Sequence, residues 1–229
     1  MDLQGFLKRE ISGWKKGEVL TLVLIWSFII INAFLTKDSL VAVISAICGI
    51  TYTYIAGKGK VSCYLFGVTG SGFYCYLSFI NALWGNLLLY ALYYIPMQIL
   101  GFWRWSKHIN SKTSEIVKIR LSNFERLRTF MVTVLVTAVA IAVLKYFNDT
   151  HPVIDGITTI FSIAGMYLTV RRAIEQWIVW MIVNALSSIM WISIVMNGEK
   201  AYSTVIMWVT YFVLAIYFYA KWRKEIKEG

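Results

Sequence analysis

Long uncharged stretches, separated by short charged segments, dominate the chain. Residues 61–103 include no Asp, Glu, Lys or Arg, and this stretch of 43 residues is about twice as long as one membrane-spanning helix. The polar and aromatic segment 81–86 divides it in two. Other uncharged or nearly uncharged runs occupy residues 19–36, 39–57, 129–144, 151–170, 176–198 and 201–220. The pattern predicts an all-α integral membrane protein with eight transmembrane helices.

The basic residues predict how these helices are oriented. With a cytoplasmic N-terminus, 19 of the 22 Lys and Arg residues fall in segments on the cytoplasmic side, and Lys37, Lys145 and Lys200 fall outside. Because cytoplasmic loops carry an excess of basic residues, this split predicts that both termini are cytoplasmic. The net charge of +10 then reports orientation, and it predicts contact with the lipid bilayer rather than with nucleic acid.

The composition excludes several classes of protein. Hydrophobic residues make up 59% of the chain and charged residues 15%, against about 45–50% and about 25% in soluble domains. Cys48, Cys63 and Cys75 form no CxxC pair, and we expect them to be apolar packing residues. His108 and His151 stand alone, with no catalytic cluster around them in the sequence. We therefore expect no enzyme activity, no catalytic residue, no bound metal and no cofactor.

A weak internal repeat is visible when the sequence is shifted by 113 residues. The shift aligns Tyr54 with Tyr167, Lys58 with Arg171 and Gly85 with Gly198. It predicts two three-helix repeats that run in the same direction, an arrangement of transporters whose substrate site lies near the membrane midplane between the halves. The predicted parts are a cytoplasmic N-terminus (1–18), an additional helix (19–36), a first repeat (38–106), a basic loop with a connector helix (107–150), a second repeat (151–222) and a cytoplasmic tail (223–229).

Polar and aromatic residues follow one face of the predicted seventh helix. Trp177, Trp180, Asn184, Ser188 and Trp191 recur at steps of three and four residues. Asn184 lies near the middle of the span, where its amide needs either an interhelical hydrogen bond or a ligand. For Trp177 the alternative is a place in the interfacial aromatic belt, and for Trp180 it is core packing.

The predicted fourth helix has a second face of this kind. Tyr90, Tyr94, Gln98, Gly101 and Trp105 follow one another at helical spacing. Pro96 in the same helix leaves a carbonyl without its partner, which predicts a kink that lines a cavity. Aromatic rings with Asn and Gln amides suit an uncharged or cationic heterocycle that carries a carboxamide and hydroxyl groups.

Charged residues are absent from the interiors of most predicted helices. Asp155 and Glu175 lie near the ends of their spans, where we expect gating or salt bridging. Because proton- or sodium-coupled carriers usually keep an intramembrane carboxylate, we expect facilitated movement without ion coupling. The glycine-rich segment 67–72 lacks the Lys of a phosphate-binding loop, and we expect close helix packing there.

Two segments resemble the PnuC family of bacterial nicotinamide riboside transporters. Residues 175–184 (EQWIVWMIVN) resemble the family's WxxW…N segment, and residues 98–105 (QILGFWRW) resemble its QxxGxxxW segment. The resemblance implies a SWEET-like fold and a homotrimeric facilitator in the bacterial inner membrane. Uptake of the small-molecule substrate would be driven by its phosphorylation in the cytoplasm. The resemblance assigns substrate binding to Gln98, Trp105, Trp177, Trp180 and Asn184, and we add Tyr94 and Ser188 from the same helix faces.

Other functions stay open at the level of sequence. PnuC-like proteins include carriers of thiamine and riboflavin, and no residue here excludes thiamine or another vitamin. A receptor or assembly subunit without transport would carry the same helices, and an uptake assay separates it from a carrier. A membrane enzyme is disfavoured because the chain lacks a cluster of catalytic residue types.

Overall fold

The computed structural model describes residues 3–37, 40–80, 84–149, 151–197 and 202–228, and its regular secondary structure in these ranges is helical. The chain divides into two compact units, Met1–Val117 (unit 1) and Lys118–Gly229 (unit 2). Unit 1 contains helices α1 (Leu3–Ile11), α2 (Lys16–Thr36), α3 (Leu40–Lys58), α4 (Cys63–Ile80), α5 (Trp84–Leu89) and α6 (Ile95–Ser106). Unit 2 contains α7 (Asn123–Tyr146), α8 (Pro152–Val170), α9 (Glu175–Met196) and α10 (Tyr202–Glu228).

Within each unit a central helix packs against two neighbours. In unit 1, α4 packs against α3 and α6, and a π-helical turn (Tyr90–Tyr94) joins α5 to α6. In unit 2, α9 packs against α8 and α10, and α7 packs against α8. Helix α7 begins with a capping box, in which Ser122 and Glu125 satisfy each other's backbone N–H groups at 3.0 and 3.2 Å.

Six helices among the described residues are long and apolar enough to cross a membrane. They are Lys16–Leu35, Cys63–Ile80, Asn123–Tyr146, Pro152–Val170, Glu175–Met196 and Thr204–Glu228. The predicted second span coincides with α3, and the predicted fourth span coincides with α5, the π turn and α6. The prediction of an all-helical chain with several apolar spans is thus confirmed in the described residues.

The second half of the predicted turn at 81–86 is helical instead. Residues 84–86 already belong to the first turn of α5, while 81–83 lie outside the described residues. Gly198, the residue that the repeat aligns with Gly85, also lies outside them. The boundary between the two units falls at Val117, inside the segment that was predicted to connect the repeats, and α7 packs within unit 2.

The α3–α4 turn and the α8–α9 turn have the same backbone structure. In the first, the N–H groups of Gly59 and Lys60 donate to Ala56 and Ile55 at 2.9 and 3.2 Å. In the second, the N–H groups of Arg172 and Ala173 donate to Thr169 and Leu168 at 2.9 and 3.1 Å. Gly59 and Arg172 are both left-handed, with φ of 74° and 63°. Each turn is therefore a Schellman motif, and every residue of the second lies 113 positions after its counterpart in the first.

A close contact between a glycine and an aromatic ring also occurs at corresponding positions of the two units. In unit 1 a Cβ atom on Gly67 would lie 2.8 Å from Cδ2 of Tyr52, and in unit 2 a Cβ atom on Gly165 would lie 3.0 Å from Cε2 of Trp180. The 113-residue shift aligns Tyr52 with Gly165 and Gly67 with Trp180, so the glycine and the ring have changed places. The expected close helix packing at Gly67 is confirmed, because no side chain fits between it and α3.

A buried lysine ties three segments of unit 1 together at the α3–α4 turn. The Lys60 Nζ donates to the carbonyls of Arg9 and Ser114, both at 2.9 Å. Burial lowers the pKa of the Lys60 ammonium, while the nearby carboxylates of Glu10 and Glu115 act in the opposite direction. Helix α1 and the loop after α6 are therefore both anchored on this turn.

Candidate functional site

The Gln98 amide lies in the interior of unit 1, held by a helix partner. Gln98 is 5% exposed, and its Nε2 donates to the Ser71 Oγ at 3.0 Å. A Cβ atom on Gly67 would lie 3.1 Å from the Gln98 amide, so α4 comes close to α6 at this level. The Ser71 hydroxyl also lies 3.4 Å from the Gln98 Oε1. The amide has two donors and two acceptor lone pairs, so part of its hydrogen-bonding capacity is left for another group.

The π turn lies directly before Gln98 on the same helix and carries a ladder of tyrosines. The Ile95 N–H donates to the Tyr90 carbonyl five residues earlier, which is the π-helical hydrogen bond. Tyr94 is buried, and its ring centroid lies 4.7 Å from that of Tyr90. Tyr90 in turn lies 4.4 Å from Tyr74 of α4. The predicted kink near Pro96 therefore takes the form of a wide helical turn, with Tyr94 about one turn and Tyr90 about two turns before Gln98.

Trp105 and Gly101 of α6 both pack tightly against Tyr64 of α4. Trp105 has no exposed surface, and its ring meets that of Tyr64 edge-on at 5.0 Å. A Cβ atom on Gly101 would lie 2.3–2.5 Å from three atoms of the Tyr64 side chain, so only glycine fits here. Trp105 is thus part of the core of unit 1, and direct contact with a ligand would require its neighbours to move.

The Trp180 ring is held in one orientation within unit 2. Its Nε1 donates to the Thr169 Oγ1 at 3.2 Å, and the Thr169 hydroxyl donates to the Gly165 carbonyl at 2.8 Å. One face of the ring lies against Gly165, where a Cβ atom would come within 3.0–3.3 Å of three ring atoms. Since Trp180 is only half-buried, the rest of the ring is available for stacking.

Asn184 lies one helical turn beyond Trp180 on α9. It is 5% exposed, and no other group among the described residues hydrogen-bonds to its side-chain amide. The Ser188 Oγ donates to the Asn184 backbone carbonyl at 2.7 Å, as helical serines commonly do. An interhelical hydrogen bond, which was the structural alternative for Asn184, is therefore not made by its amide in this part of the chain.

Trp177 lies in the core of unit 2. It is 2% exposed, and its ring contacts Phe218 at 5.4 Å and Trp222 at 5.6 Å. Its Nε1 is buried without a hydrogen-bond partner among the described residues. The indole is closed off by α10 in the same way that Trp105 is closed off in unit 1.

The two acidic residues near the ends of the predicted spans lie at the starts of helices. Glu175 forms a salt bridge there. The Glu175 carboxylate accepts from the Arg126 Nε at 2.7 Å and from the Leu121 N–H at 3.2 Å. Asp155 lies in the first turn of α8. No group of three or more metal-ligating side chains occurs in the described ranges, and the three cysteines are free thiols.

Sequence reasoning did not place Ser71 or Thr169 among the site residues. Each is a small hydroxyl residue whose role depends on a partner in another helix, and helix periodicity alone does not identify such a partner. The 113-residue shift does contain a signal for one of them, because it aligns Ser71 with Asn184.

Comparisons with known proteins agree with the two segments singled out in the sequence. The chain matches the nicotinamide mononucleotide transporter family over residues 39–224. It is 32% identical to the nicotinamide riboside transporter PnuC of Neisseria mucosa, across 96% of this chain and 86% of that protein. It is 30% identical to the protein of the same name from Haemophilus influenzae, across 99% of both chains.

The fold points to the same relatives. A crystal structure of the vitamin B3 transporter PnuC superposes with a TM-score of 0.83 at 31% identity, covering 100% of this chain and 99% of the other. The matched family consists of transporters, and the apolar helices described above are those of a multi-pass membrane protein. The resemblance inferred from residues 98–105 and 175–184 is thereby confirmed, and the chain belongs to the PnuC family.

Proposed function

We propose that this protein carries nicotinamide riboside across the membrane by facilitated movement. The observation that carries the proposal is the Asn184 amide, which is nine-tenths buried at mid-helix and lacks a partner among the described residues. A substrate amide or hydroxyl can pair with this amide, and removing the amide would leave that substrate group unpaired at a cost of about 1–3 kcal/mol. The names of the relatives identify the ligand class as nicotinamide riboside.

Each proposed binding residue has a chemical counterpart on this substrate. The Trp180 ring stacks on the cationic pyridinium, a pairing that indoles favour. The Asn184 and Gln98 amides bind the carboxamide and the ribose hydroxyls. Tyr94 and Ser188 lie on the same helix faces as these two amides.

Trp105 and Trp177 have a less direct part in this proposal. Both are almost fully closed to solvent, at 0% and 2% exposure. They stay in the proposed site as aromatic packing on the helices that carry Gln98 and Trp180, and they reach the substrate only in a state where α6 or α10 shifts.

The charge pattern favours a nucleoside over a nucleotide as substrate. A nucleotide carries a phosphate dianion, which needs Lys, Arg or a helix N-terminus as its partner. Residues 61–103 and 176–198, which hold both proposed amides, contain no charged residue. Phosphorylation of the imported riboside in the cytoplasm would thus prevent its return and drive net uptake.

The proposed architecture has eight spans, with α2 as an additional helix before two repeats. The first repeat contains α3, α4 and α5–α6, α7 connects, and α8, α9 and α10 form the second repeat. Support comes from the two Schellman turns and the two glycine–ring contacts at an offset of 113 residues. The distribution of Lys and Arg supports cytoplasmic termini in the bacterial inner membrane, and family membership suggests a trimer.

Binding measurements on the purified protein test this proposal. Titration with nicotinamide riboside should quench tryptophan fluorescence, and Asn184→Leu should weaken binding by about 5- to 150-fold, the equivalent of about 1–3 kcal/mol. Asn197→Leu, at the exposed end of the same helix, is the matched control and should bind like the wild type. Tighter binding of thiamine or of the mononucleotide than of the riboside would contradict the substrate assignment, and equal binding by both variants would contradict the site.

A further inference from the structure

The contact between α4 and α6 in unit 1 extends along both helices in steps of seven residues. Tyr64 meets Trp105 at 5.0 Å, and seven residues further along α4 and seven residues back along α6, Gln98 donates to Ser71 at 3.0 Å. Seven residues are about two helical turns, or about 10.5 Å, and they return to almost the same helix face. In two antiparallel helices, a contact between one pair of residues therefore brings together the pair that lies seven residues further along one helix and seven residues back along the other.

The same construction applies to α9 and α10 in unit 2. Trp177 meets Phe218 at 5.4 Å, and both residues lie 113 positions after Tyr64 and Trp105. Seven residues further along α9 lies Asn184, and seven residues back along α10 lies Tyr211. Asn184 and Tyr211 are thus the counterparts of Ser71 and Gln98.

The surroundings of Tyr211 suit a polar group that faces a ligand. Its ring packs edge-on against Trp208 at 6.0 Å, which fixes the ring plane, and the side chain is half-buried. Neither its hydroxyl nor the Asn184 amide is hydrogen-bonded within the described parts of unit 2. In unit 1 the equivalent positions are already hydrogen-bonded to each other.

We infer that Tyr211 is a further substrate-binding residue. Its hydroxyl and the Asn184 amide together bind one polar group of the substrate, a carboxamide or a ribose hydroxyl. This inference rests on the proposed function, because it takes Asn184 to be a binding residue. A tyrosine hydroxyl both donates and accepts, so it pairs with either kind of group.

Calorimetric titration of purified variants with nicotinamide riboside tests the assignment. Tyr211→Phe removes only the hydroxyl and should weaken binding about tenfold, the loss expected for one hydrogen bond to a polar ligand. The melting temperature without ligand should stay at the wild-type value, and the rise in melting temperature on adding the riboside should be smaller. Tyr217→Phe on the same helix, where the side chain is 50% exposed, is the matched control and should bind like the wild type.

The double variant distinguishes shared recognition from two separate contacts. If Tyr211 and Asn184 bind one group, Tyr211→Phe should weaken the Asn184→Leu protein little further, because the two losses are not additive. Wild-type affinity of Tyr211→Phe, beside a loss in Asn184→Leu, would overturn the role of Tyr211 and leave the proposed function standing. Absence of riboside binding by the wild-type protein would instead overturn the proposed function itself.

Discussion

The absence of a side chain at Gly165 determines where the Trp180 ring lies. Gly165 allows the Trp180 ring to lie directly on α8, and Thr169 on the same helix fixes the indole nitrogen. A ring held on one face and at one edge has lost most of its rotamer freedom before any ligand arrives. Preorganisation of this kind improves affinity because little ordering is left to the binding step.

Replacing Gly165 with Ala should displace the Trp180 ring. The new Cβ would lie 3.0–3.3 Å from three ring atoms, so the ring must shift or change rotamer. Overpacking of this kind costs about 1–3 kcal/mol. We expect a lower melting temperature and about tenfold weaker riboside binding, measured by thermal unfolding and by fluorescence titration.

Gly72→Ala is the matched control for this substitution. Gly72 is also a helical glycine, but a Cβ atom there meets open space. Exchange of Gly for Ala in a helix stabilises by up to about 1 kcal/mol. The control should therefore melt at the wild-type temperature or slightly above it. A Gly165→Ala protein with the same melting temperature and affinity as the control would show that the contact between Gly165 and Trp180 does not matter for stability or binding.

The role of a residue was predictable from sequence only where helical spacing shows which face of a helix the residue lies on. The faces of Asn184 and Gln98 follow from helical periodicity, and both amides are buried as that periodicity implies. Burial of Trp105 and Trp177 to 0% and 2% was not predictable, because it depends on which ring of the neighbouring helix fills the space beside each indole. Hydrogen-bond partners in other helices, such as Ser71, were not predictable for the same reason, because they depend on how the helices pack.

At the level of elements, the π turn sets the direction of the rings that precede Gln98. Proline at position 96 has no N–H to donate to the carbonyl of Leu92, and the Ile95 N–H bonds five residues back to Tyr90 instead. A π turn accommodates one extra residue, so side chains before it are rotated by about 100° relative to a continuous α-helix. Sequence predicted the interruption at Pro96 but not its form.

Pro96→Ala should let the helix return to regular α-helical hydrogen bonding. The alanine supplies an N–H, and Tyr90 and Tyr94 would then turn away from their present positions. We expect riboside binding to fall by about tenfold or more while the melting temperature stays equal or rises, since Ala favours helix over Pro by about 3 kcal/mol. The chain contains one other proline, Pro152 at the start of α8, and Pro152→Ala should bind as the wild type does. Similar affinities for the two variants would contradict a role of the π turn in binding.

The α3–α4 turn depends on Lys60, and its stability should vary with pH. Lys60→Met removes two charge-assisted hydrogen bonds, to Arg9 and Ser114, and should lower the free energy of unfolding by about 1–3 kcal/mol. Because burial lowers the pKa of Lys60 below its unfolded value of about 10.4, the unfolded chain binds more protons between the two values. The contribution of Lys60 to the free energy of unfolding therefore rises with pH between the folded and unfolded pKa values, and it is constant below that interval.

Melting temperatures in detergent at a series of pH values check this prediction. The deficit of Lys60→Met relative to the wild type should widen as the pH increases toward about 10. Lys112→Met, in the exposed part of the loop after α6, is the control and should show no such trend. A deficit that narrows with rising pH would mean that the wild-type lysine is stabilised in its charged form, opposite to the effect of its burial.

For the whole molecule, the order of helices was predictable because a bilayer makes hydrophobicity almost sufficient to define a span. The repeat was harder to see, since the aligned residues often differ in size: Tyr52 aligns with Gly165, and Gly67 with Trp180. Backbone hydrogen bonds at the two Schellman turns preserve the register that the side chains have lost.

The absence of charged residues from 61–103 and 176–198 predicts that uptake needs neither a sodium nor a proton gradient. Nicotinamide riboside itself carries one positive charge, so a uniporter moves charge and responds to membrane potential. In proteoliposomes at clamped zero potential, internal and external riboside should reach equal concentrations whatever the sodium or pH gradient. An inside-negative potential should raise the internal concentration about tenfold for every 60 mV or so.

The Asp155→Asn variant tests whether this side chain couples uptake to an ion, because Asp155 is the one acidic residue in the sequence of the apolar segment 151–170. If uptake is uncoupled, the variant should reach the same accumulation at each potential as the wild type. Accumulation against the riboside gradient at zero potential, driven by sodium or protons and lost in Asp155→Asn, would show a coupled carrier with Asp155 as its ion site. Glu175→Gln serves as the structural comparison: its carboxylate already binds Arg126, so this variant should lose stability without a change in the dependence on potential.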